Sequence, residues 1–162
     1  MTRAHSKDEQ SPRLSRRAVV GGLLVLTLLP VSTSTVLADA DDLAAAMNEA
    51  LGAGYQLNEG RVKVRVPELA ENGNVVPLRV QVESPMTAGD HVQTIFVFSE
   101  KNPIANVARF HLGPRAGQAR VQTNIRLAAS QHVTVVARMA NGELWSATAQ
   151  VIVTQGACID DT

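Results

Sequence analysis

The amino-acid sequence predicts an all-β protein, an antiparallel β-sandwich of about seven short strands preceded by one short helix. Three observations support this. After Gly60, apolar and polar residues alternate with a period of two, as in residues 62–66. Turn-forming pairs such as Asn141-Gly142 separate the alternating runs. About 120 residues follow the N-terminal segment, which suits one domain with a single core.

A helix is expected directly ahead of the strands. Asp41-Asp42 places negative charge at its N-terminus, where the helix dipole favours it. Apolar residues recur three or four positions apart, which puts them on one face. They are Leu43, Met47, Ala50 and Leu51. Gly52 and Gly54 then end the helix.

Seven strands are expected after the helix. Their apolar runs cover residues 62–66, 76–82, 92–98, 107–112, 119–127, 133–139 and 145–153. Asn141-Gly142 is a strong hairpin signal and joins the last two strands. The sequence lacks the helical segments that would alternate with strands in a parallel α/β fold. The pattern therefore favours two antiparallel sheets packed face to face.

Residues 1–38 are predicted to be a signal peptide of the twin-arginine type. Arg16-Arg17 precedes an apolar run that ends at Pro30 and is too short and too rich in glycine for a good membrane span. Residues 36–38 or 38–40 suit a signal peptidase. An ordinary secretory signal with a chance arginine pair is the alternative. Both routes predict a periplasmic protein without a membrane anchor.

The charge distribution argues against nucleic-acid binding. The whole chain has a formal net charge of zero, and residues 1–38 hold five basic and two acidic residues. The remaining chain is therefore slightly acidic, and only 3% of residues are aromatic. Nucleic-acid binding needs a basic surface, and single strands also need stacking platforms.

Cys158 is the one cysteine in the chain and stands four residues before the C-terminus. Exported proteins usually hold cysteines in pairs, so a lone thiol on a tail can react with something outside its own domain. Residues 39–154 form the predicted sandwich domain and 155–162 a tail that hangs free. Gln155, Gly156 and Ala157 are its predicted flexible arm. Fully extended, the tail spans roughly 25 Å. The alternative is a leftover thiol that forms an incidental disulfide dimer.

Several segments of the predicted domain resemble the SoxY family, the carrier subunit of sulfur oxidation. The resemblance lies in residues 66–77, Glu83-Ser84-Pro85-Met86-Thr87, Glu100-Lys101-Asn102-Pro103, residues 118–128 and Gln131. The paired-arginine leader and the terminal cysteine also fit this family. The resemblance implies an immunoglobulin-like β-sandwich that pairs with a second small sandwich subunit, SoxZ.

The resemblance also implies a role without catalysis. In this family the terminal cysteine holds sulfur intermediates covalently while periplasmic enzymes act on them. A heme enzyme conjugates thiosulfate to the thiol, and a hydrolase then releases sulfate. Cys158 is thus the expected attachment residue for thiosulfate and later sulfur intermediates. No catalytic residue, metal ligand or cofactor is expected in this chain.

The C-terminal tail departs from the family pattern. Family tails usually end in Gly-Gly-Cys-Gly-Gly, whereas this chain continues past Cys158 with Ile159-Asp160-Asp161-Thr162. Ile159 adds bulk that a narrow channel in a partner enzyme could exclude. Asp160 and Asp161 are expected to raise the pKa of the thiol and to repel an anionic substrate. A second hypothesis is therefore a structural interaction subunit whose altered tail no longer carries sulfur.

The remaining polar residues give weaker signals. His91, His111 and His132 lie near predicted strand ends and are expected to be surface histidines, not metal ligands. No spacing of a nucleophile, base and acid predicts an enzyme. Arg120 and Arg126 share one face of a predicted strand, which is either solvent-exposed or part of a subunit interface.

Overall fold

A computed structural model describes residues 38–157 of the chain. This part contains one α-helix, one 3-10 turn at Pro114–Ala116 and nine strands. They are α1 (Ala38–Leu51), β1 (Asn58–Glu59), β2 (Val62–Arg65), β3 (Leu69–Asn72), β4 (Val76–Val82), β5 (Val92–Ser99), β6 (Asn106–His111), β7 (Arg120–Ile125), β8 (Gln131–Met139) and β9 (Leu144–Gln155). The predicted all-β, immunoglobulin-like sandwich with a short N-terminal helix is confirmed.

The strands form two sheets. The larger has the order β1-β9-β8-β5-β6, with β3 also paired to β9, and the smaller has the order β2-β4-β7. All seven predicted strands are present, and their pairs are antiparallel. Asn141-Gly142 joins β8 to β9, with Gly142 at a φ of 87° and its amide donating to the Met139 carbonyl oxygen at 3.0 Å.

Two further strands, β1 and β3, differ from the sequence prediction. Both pair with β9 in parallel, at Asn58 and Glu59 near its start and at Leu69–Asn72 near its end. They were missed because β1 has only two residues, and β3 exposes three of its four. Neither strand shows the apolar alternation that identifies a half-buried strand. Together they cover the edge of β9 that β8 leaves open.

The main core lies between the two sheets. On β4 the alternation of the sequence becomes alternation of burial, with Val76, Leu78, Val80 and Val82 buried and the intervening residues exposed. The opposite sheet contributes Val133, Val135 and Ala137 from β8 and Ile95 and Val97 from β5. Close packing of these apolar side chains excludes water and supplies most of the driving force for folding.

Helix α1 covers the other face of the larger sheet. Phe96 and Phe98 of β5 point away from the sandwich core and pack with Met47 in a second apolar cluster. Arg138 of β8 donates from Nη2 to the Ala50 carbonyl oxygen at 2.8 Å and so satisfies a helix C-terminal acceptor. Within residues 38–157, no helix has the length and apolar character needed to cross a membrane.

Candidate functional site

The predicted attachment residue, Cys158, lies one position beyond the described part of the chain. Its role as an attachment residue stays a prediction. The structure does describe the three residues that lead to it, Gln155, Gly156 and Ala157. Their surroundings show how the chain is held directly before the cysteine.

The structure differs from the predicted free tail at residues 155–157, where the backbone is hydrogen-bonded to the domain. Gln155 is the last residue of β9, where it lies opposite Asn72 of β3. Its carbonyl oxygen accepts a hydrogen bond from the Gly73 amide at 2.7 Å. The Ala157 amide donates to the Leu127 carbonyl oxygen at 3.0 Å. Backbone hydrogen bonds therefore hold the predicted arm against the domain.

A third hydrogen bond links Gly73 and Leu127, the two residues that bind the tail, to each other. The Leu127 amide donates to the carbonyl oxygen of Gly73 at 2.8 Å. Each pair among three segments is thus joined by one backbone hydrogen bond: Gly73, Leu127 and residues 155–157. We call these residues the tail clasp. The clasp satisfies backbone donors and acceptors that would otherwise be left at the ends of β3, β7 and β9.

The loop that carries Leu127 is held by side chains as well. Asn102 donates from Nδ2 to the Arg126 carbonyl oxygen at 2.8 Å, and its Oδ1 accepts from the Ala128 amide at 3.0 Å. Gln131, which is only 3% exposed, donates to the same Oδ1 at 3.0 Å and accepts from the Lys101 amide at 2.8 Å. Asn102 and Gln131 therefore hold in place the segment around Leu127 that binds the tail.

A side-chain hydrogen bond from Ser130 joins this loop to the C-terminal strand, β9. Ser130 Oγ accepts from the Val153 amide at 2.9 Å and lies 3.3 Å from the Val153 carbonyl oxygen. On the other side, Asn72 Oδ1 accepts from the Asn74 amide at 2.9 Å, which shapes the turn around Gly73. Asn102 and Gln131 belong to the segments that resemble the SoxY family, but no sequence pattern places them or Gly73 beside the tail.

The three histidines of the described part lie apart, each with its own partner. His91 Nδ1 lies 3.1 Å from the Thr87 carbonyl oxygen, and His111 Nδ1 lies 3.3 Å from Thr94 Oγ1. His132 pairs with Glu100, with 3.0 Å between Nδ1 and Oε2. Residues 38–157 contain no group of three or more histidine, cysteine, aspartate or glutamate side chains that could hold a metal ion.

The outer face of the smaller sheet is strongly basic. Four cations surround one shallow depression there: Lys63, Arg65, Arg79 and Arg120. A hydrogen bond and charge attraction from Lys63 lower the pKa of Glu83 below its ordinary value. Arg120 and Arg126 are both exposed in this single chain. A subunit interface on this face stays a prediction.

The comparison with protein families identifies the domain. Residues 47–158 match the family model described as sulfur oxidation protein SoxY, which is more than half of the chain. The chain belongs to the SoxY family. The match ends on Cys158, so the SoxY domain includes the clasp and the single cysteine, whereas Ile159–Thr162 lie outside the match.

Solved structures support the SoxY fold. The sulfur carrier protein SoxY from Chlorobium limicola f. thiosulfatophilum is 29% identical with a TM-score of 0.58, covering 71% of this chain and 98% of that one. Superoxide reductase (neelaredoxin) from Ignicoccus hospitalis is 20% identical with a TM-score of 0.51, covering 58% and 80%. The second likeness shows a shared fold alone. No curated protein matches the chain by sequence.

Proposed function

We propose that the chain is a periplasmic covalent carrier of sulfur intermediates, attached at Cys158 and presented to partner enzymes of thiosulfate and sulfur oxidation. The observation that carries this proposal is the extent of the family match. It runs through the tail clasp and stops on the single cysteine, so the SoxY-like sequence includes the thiol itself. The solved SoxY that resembles this chain is described as a sulfur carrier protein.

The chemistry of loading requires only a thiolate from this chain. The Cys158 thiolate and thiosulfate, S2O3²⁻, form a sulfur–sulfur bond and give the adduct Cys-S-S-SO3⁻ with loss of two electrons. A heme enzyme accepts those electrons. Hydrolysis with one water then releases sulfate and two protons and leaves a Cys-S-S⁻ persulfide. The partners supply oxidation and hydrolysis, so the carrier is not itself an enzyme.

Intact-mass measurement tests the carrier proposal directly. The chain is incubated with thiosulfate, the heme enzyme of sulfur oxidation and its sandwich partner subunit. We expect a mass increase of one S2O3 group in place of the thiol hydrogen. Cys158→Ser is a clean control because it removes the only thiol of the chain. A wild-type mass that stays unmodified under these conditions rules out the carrier function.

Membership of the SoxY family implies a SoxZ partner, and we propose a heterodimer with a SoxZ-like β-sandwich. Co-expression of the two chains followed by light scattering tests this pairing. A complex with the mass of one copy of each chain is expected. Two separate monomers at micromolar concentration would contradict it.

We propose that the chain is exported through the twin-arginine route. This route explains the paired arginines of the leader and brings the chain into the periplasm, where its proposed partner enzymes act. Residues 1–37 lie outside the described part, so the test is made in cells. Replacing both Arg16 and Arg17 by lysine is expected to leave the chain in the cytoplasm as an uncleaved precursor. Normal processing of that variant would favour the ordinary secretory signal.

A structural interaction subunit is the second candidate, and the sequence of the C-terminal tail favours it. Residues 159–162 fall outside the family match and add Asp160 and Asp161 next to the thiol. Under this alternative, Cys158→Ser leaves thiosulfate oxidation by cells unchanged while the complex with the partner subunit persists. Loss of oxidation with an intact complex supports the carrier instead.

A further inference from the structure

A glycine is required at position 156 because there is no space for a side chain, and not because the backbone conformation is unusual. Among the described glycines, those with positive φ are Gly52, Gly54, Gly60, Gly117 and Gly142, and Gly156 is not one of them. A Cβ atom placed on Gly156 would lie 2.1 Å from the carbonyl oxygen of Ala128. That oxygen belongs to the backbone and cannot rotate away as a flexible side chain could.

Gly73 meets the same restriction on the other side of the tail clasp. A Cβ atom there would lie 2.3 Å from the Leu127 carbonyl oxygen and 2.8 Å from the Ala157 nitrogen. Two glycines therefore allow three backbone segments to approach closely enough for the hydrogen bonds of the clasp. Such close approach is one of the established uses of glycine, distinct from its use as a flexible joint.

The clasp also has support from hydrogen-bonded side chains. Asn102 holds the 126–128 backbone from one side through two hydrogen bonds, and Gln131 holds Asn102 in turn. Ser130 ties the same loop to Val153 of β9. A segment with this many internal partners opens only when several bonds break together, so it is expected to be among the more protected parts of the domain.

We propose that the tail clasp sets the position from which Cys158 is presented, with Gly73, Gly156 and Asn102 as positioning residues. This inference rests on the proposed carrier function. The tail is anchored at Ala157, one residue before the thiol, so the reach of the sulfur is set from there and not from Gln155. Neighbouring Cα atoms are about 3.8 Å apart. Partner enzymes therefore approach the domain surface around the clasp to reach the sulfur.

Amide hydrogen exchange of the full chain tests the clasp by itself. In the wild type, we expect slow exchange at Ala157, Leu127 and Gly73, the three donors of the clasp. Gly156→Ala is expected to speed exchange at Ala157 by at least about tenfold, because the added methyl displaces Ala128 or the tail. Gly89→Ala is the matched control, since no atom lies within 4 Å of a Cβ placed there. Unprotected exchange at Ala157 in the wild type overturns the proposal.

Two rates of thiol modification then separate positioning from simple stability. With the heme enzyme and thiosulfate, loading of Cys158 in Gly156→Ala is expected to fall about tenfold or more, because small misplacements cost large factors in rate. Alkylation of the same thiol by iodoacetamide needs no docked enzyme and therefore no precise position of the sulfur. Its rate is expected to change less than about twofold. Equal loading in Gly156→Ala and Gly89→Ala overturns the positioning role.

Asn102→Ala keeps the proposal testable if Gly156→Ala fails to fold. It removes two hydrogen bonds from the 126–128 backbone without adding an atom to the clasp. We expect faster exchange at Ala157 and slower enzymatic loading with unchanged alkylation, whereas wild-type values for both overturn the proposal. If wild-type Cys158 is never loaded while Ala157 is protected, the carrier function has failed, and the positioning role with it, but the clasp stands as a structural feature.

Discussion

Ala157, one residue before the single cysteine, donates its amide hydrogen to the carbonyl oxygen of Leu127 at 3.0 Å. Leu127 follows β7 of the smaller sheet, and Ala157 follows β9 of the larger one. One hydrogen bond therefore connects the residue before the cysteine to the segment that follows the last strand of the opposite sheet. The stability of this junction and the presentation of the thiol should change together when the clasp is altered.

Gly73→Ala is expected to destabilise the domain by about 1–3 kcal/mol, the usual cost of forcing an extra methyl into a packed site. The reason is the 2.3 Å approach of the added Cβ to the Leu127 carbonyl oxygen. Chemical denaturation of the wild type and the variant measures the difference. Gly113→Ala is the control, because its surroundings are open and its φ is −152°. Equal stability of the two variants would show that the clasp is not closed in solution.

Gln131→Glu should make stability depend on pH. Gln131 Nε2 donates to Asn102 Oδ1 at 3.0 Å and to the Ala129 carbonyl oxygen at 3.1 Å. An introduced carboxyl can keep one such contact only when protonated, so the folded state is expected to raise its pKa above that of the unfolded chain. The folded form then binds more protons than the unfolded form as pH rises above about 4.3, and stability falls until the folded pKa is passed.

Thermal unfolding at several pH values measures that effect. Gln131→Leu is the matched control, since it also removes the amide but adds no titratable group. It should be destabilised at every pH by about 1–3 kcal/mol, because polar backbone groups lose their partner. A parallel pH profile for both variants would contradict the assigned hydrogen bonds.

Arg65→Glu is expected to stabilise the smaller sheet. Arg65 of β2 lies directly opposite Arg79 of β4, and both are exposed on the basic face. Like charges in this cross-strand position are unfavourable, and an opposite pair contributes roughly 0.2–1 kcal/mol. Denaturation at low salt should rank Arg65→Glu above Arg65→Gln, and both above the wild type. The ranking should shrink at about 1 M salt, where the Debye length is about 3 Å. Retention of the full difference at high salt would point to packing and not charge.

Replacing both Asp160 and Asp161 by asparagine is expected to make Cys158 more reactive. Negative neighbours favour the neutral thiol, so removing them lowers the pKa of the thiol and raises the thiolate fraction at neutral pH. The pH profile of iodoacetamide alkylation should shift to lower pH in the variant. Glu143→Gln, which alters an exposed glutamate of the β8–β9 turn, is the charge control. Identical profiles for the wild type and the double variant would remove the electrostatic effect of the tail.

Much of the fold was predictable because local pattern and burial agree. The β4 alternation became alternating burial, and Gly142 with positive φ formed the predicted β8–β9 hairpin. Gly52, also with positive φ, follows α1 where the helix was expected to end. The parallel strands β1 and β3 were missed because a short, exposed strand has no amphipathic period to detect. Pairing with β9 defines them, and their own composition does not.

The amino-acid sequence by itself determined the sandwich, its helix, the family and the single cysteine near the C-terminus. It could not determine that residues 155–157 are hydrogen-bonded to the domain. That depends on backbone amides and carbonyls of Gly73, Leu127 and Ala157, which every residue other than proline possesses, so no side-chain pattern marks them. Only the tertiary structure brings these distant segments together, and it shows that Gly156 serves close backbone approach where the sequence suggested flexibility.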